Sequence, residues 1–316
     1  MPTPTRLHGV LAPVVTPFHA DLRPDPVRFI AHCRWLLSQH TGLAVFGTNS
    51  EANSQSVDER RELLEALVEA GLDPGRMMPG TGCCALTDTV RLSTHAVQLG
   101  CAGVLMLPPF YYKDVTDEGL YRTVSEIIQR VGDARLRIYL YHIPPVAVVG
   151  ISLALIERLL TAYPGTVAGV KDSSGNWDNT RAMLEAFATS GFEVFVGSES
   201  FLLANMRHGG AGCISATANV NPAAIHALYA SWQDPAAEVQ QAKLNVVREA
   251  FGKKYTMIAA LKQAIAHYAD DPTWATVRPP LLPLTAAQHT SFLQELQQLG
   301  FTMPGLTSAA LATAGA

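Results

Sequence analysis

Charged residues are scarce in this 316-residue chain: Asp, Glu, Lys and Arg make up 16%, against 48% for the hydrophobic types. So little charge beside so much apolar side chain excludes intrinsic disorder and requires a large buried core. A basic surplus is missing too. Lys and Arg number 23 against 27 Asp and Glu, a formal charge of −4. Neither a phosphate backbone nor an anionic lipid surface finds a cationic face, so nucleic-acid and membrane partners are not expected. Five cysteines, Cys33, Cys83, Cys84, Cys101 and Cys213, form an odd and sparse set without a CxxC pair. That spacing excludes a cysteine-based zinc site and points to a reducing compartment. The opening residues lack an unbroken apolar run, because Pro13 and Pro17 interrupt it, and a cytoplasmic protein is expected. No charge occurs between Arg137 and Glu157, yet Pro144, Pro145 and Gly150 break that stretch. A buried strand, a loop and a second element fit it better than a membrane span.

What is present is alternation. Short apolar runs alternate with amphipathic segments at even intervals, the pattern of βα units around a parallel sheet. Eight candidate strands can be marked: 9–15, 43–47, 77–81, 103–107, 136–141, 167–171, 193–197 and 212–215. Helix signals separate them. Asp25-Pro26 is an N-cap followed by proline at the first helical position, and Ser56 with Glu59 is a capping box ahead of Gly71 as a stop. Further starts fall at Thr87, Thr116, Ser152 and Asn221-Pro222. After about residue 236 strand signals cease and helices are expected near 237–251, 255–268 and 286–299. The spacing predicts a (β/α)8 TIM barrel over residues 1–235, C-terminal helices packed on it over 236–304, and a loose tail over 305–316.

One segment competes with that reading. Gly80-Thr81-Gly82-Cys83-Cys84-Ala85 matches the dinucleotide-binding pattern GxGxxA, but that site also needs an acidic residue about twenty positions on. Residues 101–107 contain none. Small residues that let a loop pack closely are the better explanation, and no cofactor or metal is expected.

In a (β/α)8 barrel the chemistry sits at the C-terminal ends of the strands. Lys171 ends the run Val167-Ala168-Gly169-Val170, where desolvation would lower an amine's pKa and free it to attack a carbonyl. An ordinary lysine paired with Asp172 or Glu199 is the competing possibility. Tyr141 ends the preceding run, within reach of the same place, and a phenol there can relay protons.

Gly47-Thr48-x-x-Glu51, Tyr141-x-Ile143-Pro144, Gly169-Val170-Lys171 and Gly212-Cys213-Ile214-Ser215 together resemble the dihydrodipicolinate synthase / N-acetylneuraminate lyase superfamily of class I Schiff-base aldolases. The resemblance runs from Gly9-Val10 and Thr16-Pro17-Phe18 to Arg278-Pro279-Pro280-Leu281. It implies a barrel that binds pyruvate or another 2-oxo acid covalently, without cofactor. By the same resemblance Lys171 is the Schiff-base lysine, Tyr141 the catalytic phenol, Thr48 part of its proton relay, and Tyr111 a tyrosine that reaches a neighbouring subunit's site. Thr48, Asn49 and Ile214 fall at substrate-binding places.

The departures shape the functional expectation. The usual Tyr-Asn is Tyr141-His142, the usual second Thr of the glycine motif is Asn49, and no Arg or Lys lies between Arg137 and Arg158. Without a bidentate cation there, an acidic aldehyde loses its anchor. Ser198 and Glu199 stand where sugar-acid aldolases bind hydroxyls, and His142 is a further candidate for substrate binding. The expectation is a Schiff-base lyase that makes or cleaves aldols of a 2-oxo acid with an aldehyde, or dehydrates a sugar acid. The alternatives are an authentic 4-hydroxy-tetrahydrodipicolinate synthase or a non-catalytic small-acid-binding barrel. The aromatic run Phe110-Tyr111-Tyr112 in a loop predicts a homodimer or homotetramer.

Overall fold

The computed structural model describes residues 6–306. Of the expected tail, residues 307–316 lie outside the described residues, whereas Leu306 is buried. Two compact units divide the chain. Among the described residues, one joins 10–72 with 215–306, and the other joins 6–9 with 73–214.

In the first unit Val10–Ala12 of β1 (Gly9–Ala12) runs parallel to β2 (Gly42–Leu43), with Leu11 opposite Gly42. The helix Pro26–Ser38 starts as the sequence demands: the Asp25 carboxylate accepts the Arg28 N–H at 3.0 Å and Pro26 fills the first position. Ser56 and Glu59 close a reciprocal capping box at 3.1 and 2.8 Å ahead of Val57–Glu69, and Gly71 follows the helix at a positive φ of 80°. Helices Ala237–Gly252, Met257–Tyr268 and Ala286–Gln298 lie within two residues of their expected spans. They belong to the same unit as β2 and the part of β1 from Val10 onward. Met257–Tyr268 buries Ala259, Ala260, Leu261, Lys262, Ala264, Ile265 and Ala266, which is more than the single stripe of a helix laid on a finished domain.

The second unit holds β3 (Val104–Met106), β4 (Ile138–His142), β5 (Val167–Asp172), β6 (Glu193–Val196) and β7 (Gly212–Ile214), each parallel to the next. Helices Asp117–Val131, Leu153–Ala162 and Trp177–Phe187 cross between them, capped by Thr116, Ser152 and Asn176. The described residues therefore form an α/β fold with seven parallel strands rather than the eight expected. The run 77–81 pairs only through a bridge of Gly80 to Leu105. Leu105 donates to the Pro79 carbonyl at 2.9 Å and accepts from Thr81 at 3.0 Å, but Pro79 has no N–H to extend the ladder. Nearby, a Cβ on Gly82 would lie 2.3 Å from the Leu107 backbone, so close packing explains the glycines that mimic a dinucleotide motif.

Side chains alternate across a strand. Leu140 lines an apolar cavity with Ile127, Leu155 and Leu159, whereas Tyr139 turns to the other face and packs edge-on against Phe195 at 5.9 Å. Two glycines make room for the Tyr139 ring: a Cβ on Gly103 would approach it to 2.7 Å, and one on Gly169 to 2.8 Å while also striking the Glu193 carbonyl at 2.3 Å. Gly169→Ala is therefore expected to lower stability by about 2 kcal/mol or more, an overpacking cost. Gly47→Ala, whose Cβ would meet nothing within 4 Å, should be nearly neutral. Denaturant unfolding of both variants measures the difference.

Candidate active site

Lys171 is the next-to-last residue of β5 and pairs in register with Tyr141 on β4. The lysine is 2% exposed and the tyrosine is buried beside it. Its ammonium nitrogen lies 4.2 Å from the centre of the Tyr141 ring, close enough for a cation to be held by the ring face. Among the described residues no carboxylate stands within ion-pairing distance of this nitrogen.

Asp172, one of the two partners considered for Lys171, is engaged elsewhere. Its Oδ1 accepts the Ser174 N–H at 2.8 Å, and its Oδ2 accepts from Thr180 Oγ1 at 2.6 Å and Asn179 Nδ2 at 3.0 Å. These bonds fasten the loop that leaves β5, and so fix the end of the strand that carries Lys171. A buried charge of this kind is tolerated because its oxygens are satisfied.

His142 follows Tyr141 and so faces the other side of β4. Its Nδ1 accepts the Ile151 N–H at 3.0 Å, which places the ring proton on Nε2, and burial holds its pKa below the usual histidine range. The structure gives this residue a fixed position on the face opposite Lys171 and does not bring it beside Lys171 and Tyr141. Glu199 is buried at the start of the short turn Glu199–Phe201, whose Ser200 N–H is capped by Ser198 Oγ at 3.2 Å. Ile214 ends β7, fully buried. Tyr111 is 73% exposed and meets Tyr112 edge-on at 5.3 Å. Lys113, next in that loop, donates to the Phe110 carbonyl and, at 3.4 Å, to that of Ala147.

In the other unit Thr48 and Asn49 are half-buried in the one-turn helix Thr48–Ser50. The Gly47 N–H donates to Ser50 Oγ at 3.1 Å, and the Ser50 carbonyl accepts from Thr16 Oγ1 at 2.8 Å and Gln55 Nε2 at 2.6 Å. Glu51 comes next. Its Oε1 accepts from Lys262 Nζ at 2.6 Å and its Oε2 from the Arg278 N–H at 2.8 Å. Lys262 was not among the residues expected at a site. The signal was there all the same, as a single lysine inside the apolar helix sequence Ala259-Ala260-Leu261-Lys262.

The whole chain can now be set beside known proteins. The dihydrodipicolinate synthetase family model matches residues 6–299. A protein of Chloroflexus aurantiacus described as an uncharacterized DapA-like lyase is 32% identical over 283 residues, covering 88% of this chain and 92% of its own. The crystal structure of dihydrodipicolinate synthase from Agrobacterium tumefaciens superposes with a TM-score of 0.84 at 32% identity, covering 92% of this chain and 99% of the other. YagE from E. coli K12, a dihydrodipicolinic acid synthase family protein solved in complex with pyruvate, has a TM-score of 0.84 at 25% identity, covering 93% and 99%. This chain belongs to the dihydrodipicolinate synthetase family. It is a lyase of the class I aldolase type, as the members of that family are.

Burial sets one pH dependence. Desolvation is the main cause that lowers the Lys262 pKa from the usual lysine range to about 8, with the Glu51 carboxylate opposing it. Between about 8 and the model-peptide value near 10.4 the unfolded chain binds a proton that the folded chain has released, so folding becomes more favourable as pH rises through that window. Below about 8 the cost of burying the ammonium is present in full. Unfolding free energies from pH 7 to 10.5 should show this rise in the parent protein, and Lys262→Met should lack it.

Proposed function

We propose that this lyase makes or breaks the carbon–carbon bond next to the carbonyl of pyruvate or a related 2-oxo acid through a Schiff base on Lys171. The observation that carries the reading is the buried amine against the Tyr141 ring with no carboxylate beside it. In its neutral form the amine adds to the C2 carbonyl, and the carbinolamine loses water to give an imine. Loss of a C3 proton then sends its electron pair toward the imine nitrogen, and the resulting enamine attacks an aldehyde carbon. Cleavage runs the same steps backward. In the related dehydration of a sugar acid the enamine expels a hydroxyl instead.

Tyr141 is the group placed to move protons to and from the carbinolamine oxygen, with Thr48 in its relay. Thr48 and Asn49 would bind the 2-oxo acid carboxylate through neutral donors, and Ile214 would border it. Ser198 and Glu199 would meet the hydroxyls of the second substrate. YagE, solved with pyruvate, supports the substrate class.

The one-turn helix Pro144–Ala147 supports a hydroxylated rather than an acidic aldehyde partner. It carries exposed Val146, and by the family resemblance the arginine with which synthases bind an acidic second substrate would fall on Val146 or its neighbours. Tyr111 would complete a neighbouring subunit's site in a homodimer or homotetramer. Sedimentation is expected to return a multiple of 33.9 kDa, and a monomer would remove that role from Tyr111.

Borohydride reduction in the presence of pyruvate should attach pyruvate's carbon skeleton to the peptide that contains Lys171. Lys171→Ala should lose both the adduct and turnover while it stays folded, and an adduct that persists in that variant would overturn the assignment. With pyruvate and aspartate semialdehyde, kcat/KM should fall below about 10⁴ M⁻¹s⁻¹, the low end of ordinary enzymes. Among sugar acids and hydroxyaldehydes at least one should exceed it.

A further inference from the structure

Glu51 adopts the left-handed conformation, with φ 57° and ψ 33°. A residue other than glycine holds that conformation at a cost, and does so where its surroundings over-determine it. Here the surroundings are the two bonds to its carboxylate, from Lys262 Nζ and from the Arg278 backbone. Lys262 is wholly buried, and Glu51 is its carboxylate partner. The same ammonium lies 4.4 Å from the centre of the Phe18 ring, and the Arg278 guanidinium lies 4.7 Å from it. Arg278 also binds the Leu22 and Ser54 carbonyls and the Glu59 carboxylate. Two cations on one ring are thus balanced by two carboxylates.

A buried ion pair of this kind adds little net stability, since desolvation offsets attraction. Its evident effect is on shape: it ends the Thr48–Ser50 turn and dictates where the chain goes next. We propose that Glu51 and Lys262 form a positioning pair that holds the Thr48–Asn49 turn in its substrate-binding shape and so sets affinity for the 2-oxo acid. The inference rests on the reading above that this turn binds the substrate carboxylate. Neither residue touches the reacting atoms, so losing the pair raises the substrate concentration needed without slowing the bound complex.

The test is the dependence of borohydride trapping on pyruvate concentration in the parent protein, Glu51→Gln, Lys262→Met and the double variant, with melting temperatures recorded for each. Half-saturating pyruvate is expected to rise tenfold or more in each single variant. The double variant should be no worse than either single one, because both remove the same interaction. At saturating pyruvate the trapped fraction should return to the parent value. Unchanged half-saturation in folded variants would overturn the inference even if their melting temperatures drop, because that pattern marks a pair that only stabilises. No adduct in the parent protein would instead overturn the reading of the reaction, and this inference with it. If Lys262→Met does not fold, Glu51→Gln decides alone, since it keeps the side-chain volume and removes only the charge.

Discussion

Everything at the lysine follows from the room that Tyr139 requires. A phenol ring on that face of β4 fits only because β5 offers Gly169 and the residue before β3 is Gly103, and the phenol then donates to the buried Glu193 carboxylate. Glu193 is itself held above the usual carboxylate range by burial, and it faces His8 at 3.3 Å. This packed layer fixes the neighbouring strands against sliding, because a slip by one residue would move every side chain to the opposite face. Two residues further along the same face the register delivers Tyr141 beside Lys171. The Tyr141–Lys171 pair is thus the next layer of a packed core, and its placement derives from the apolar and glycine positions beneath it.

Much of this was legible in the residues, and the legible part has a common character. Caps at Asp25, Ser56, Thr116 and Ser152 appear as side-chain bonds because capping is local, involving residues three apart. The strands carrying Tyr141 and Lys171 were readable from short apolar runs, and their juxtaposition from the order of runs around a parallel sheet. What stayed hidden depends on partners distant in sequence. The run 77–81 has the composition of a strand but a proline where the ladder needs a donor. His142 looks available in a one-letter string, and only the Ile151 N–H on its Nδ1 and the alternation of β4 take it away from the pair. Lys262 is 211 residues from Glu51, and no spacing rule connects them.

Fold and family set the class of the protein, and the residues of the site set its substrate. The strand ends hold the buried lysine and tyrosine, while the loops that follow the strands carry what differs most between proteins built on one scaffold. Val146, Ser198 and Glu199 lie in those loops. This division lets one scaffold serve several functions through its loops.

The unit that holds the lysine also includes residues 6–9. Arg6 donates to the Gly191 carbonyl, His8 meets Glu193, and the Gly9 N–H donates to the Ala211 carbonyl at 2.8 Å. During synthesis, residues 6–9 leave the ribosome long before those partners exist. At about 5–20 residues per second the wait for Ala211 lasts on the order of ten seconds or more. Through that interval the first strand has an unpaired edge, a surface open to pairing with other chains. Residues 6–9 thus stay exposed longest while the chain is made, and they gain their partners within this unit only near the end of its synthesis.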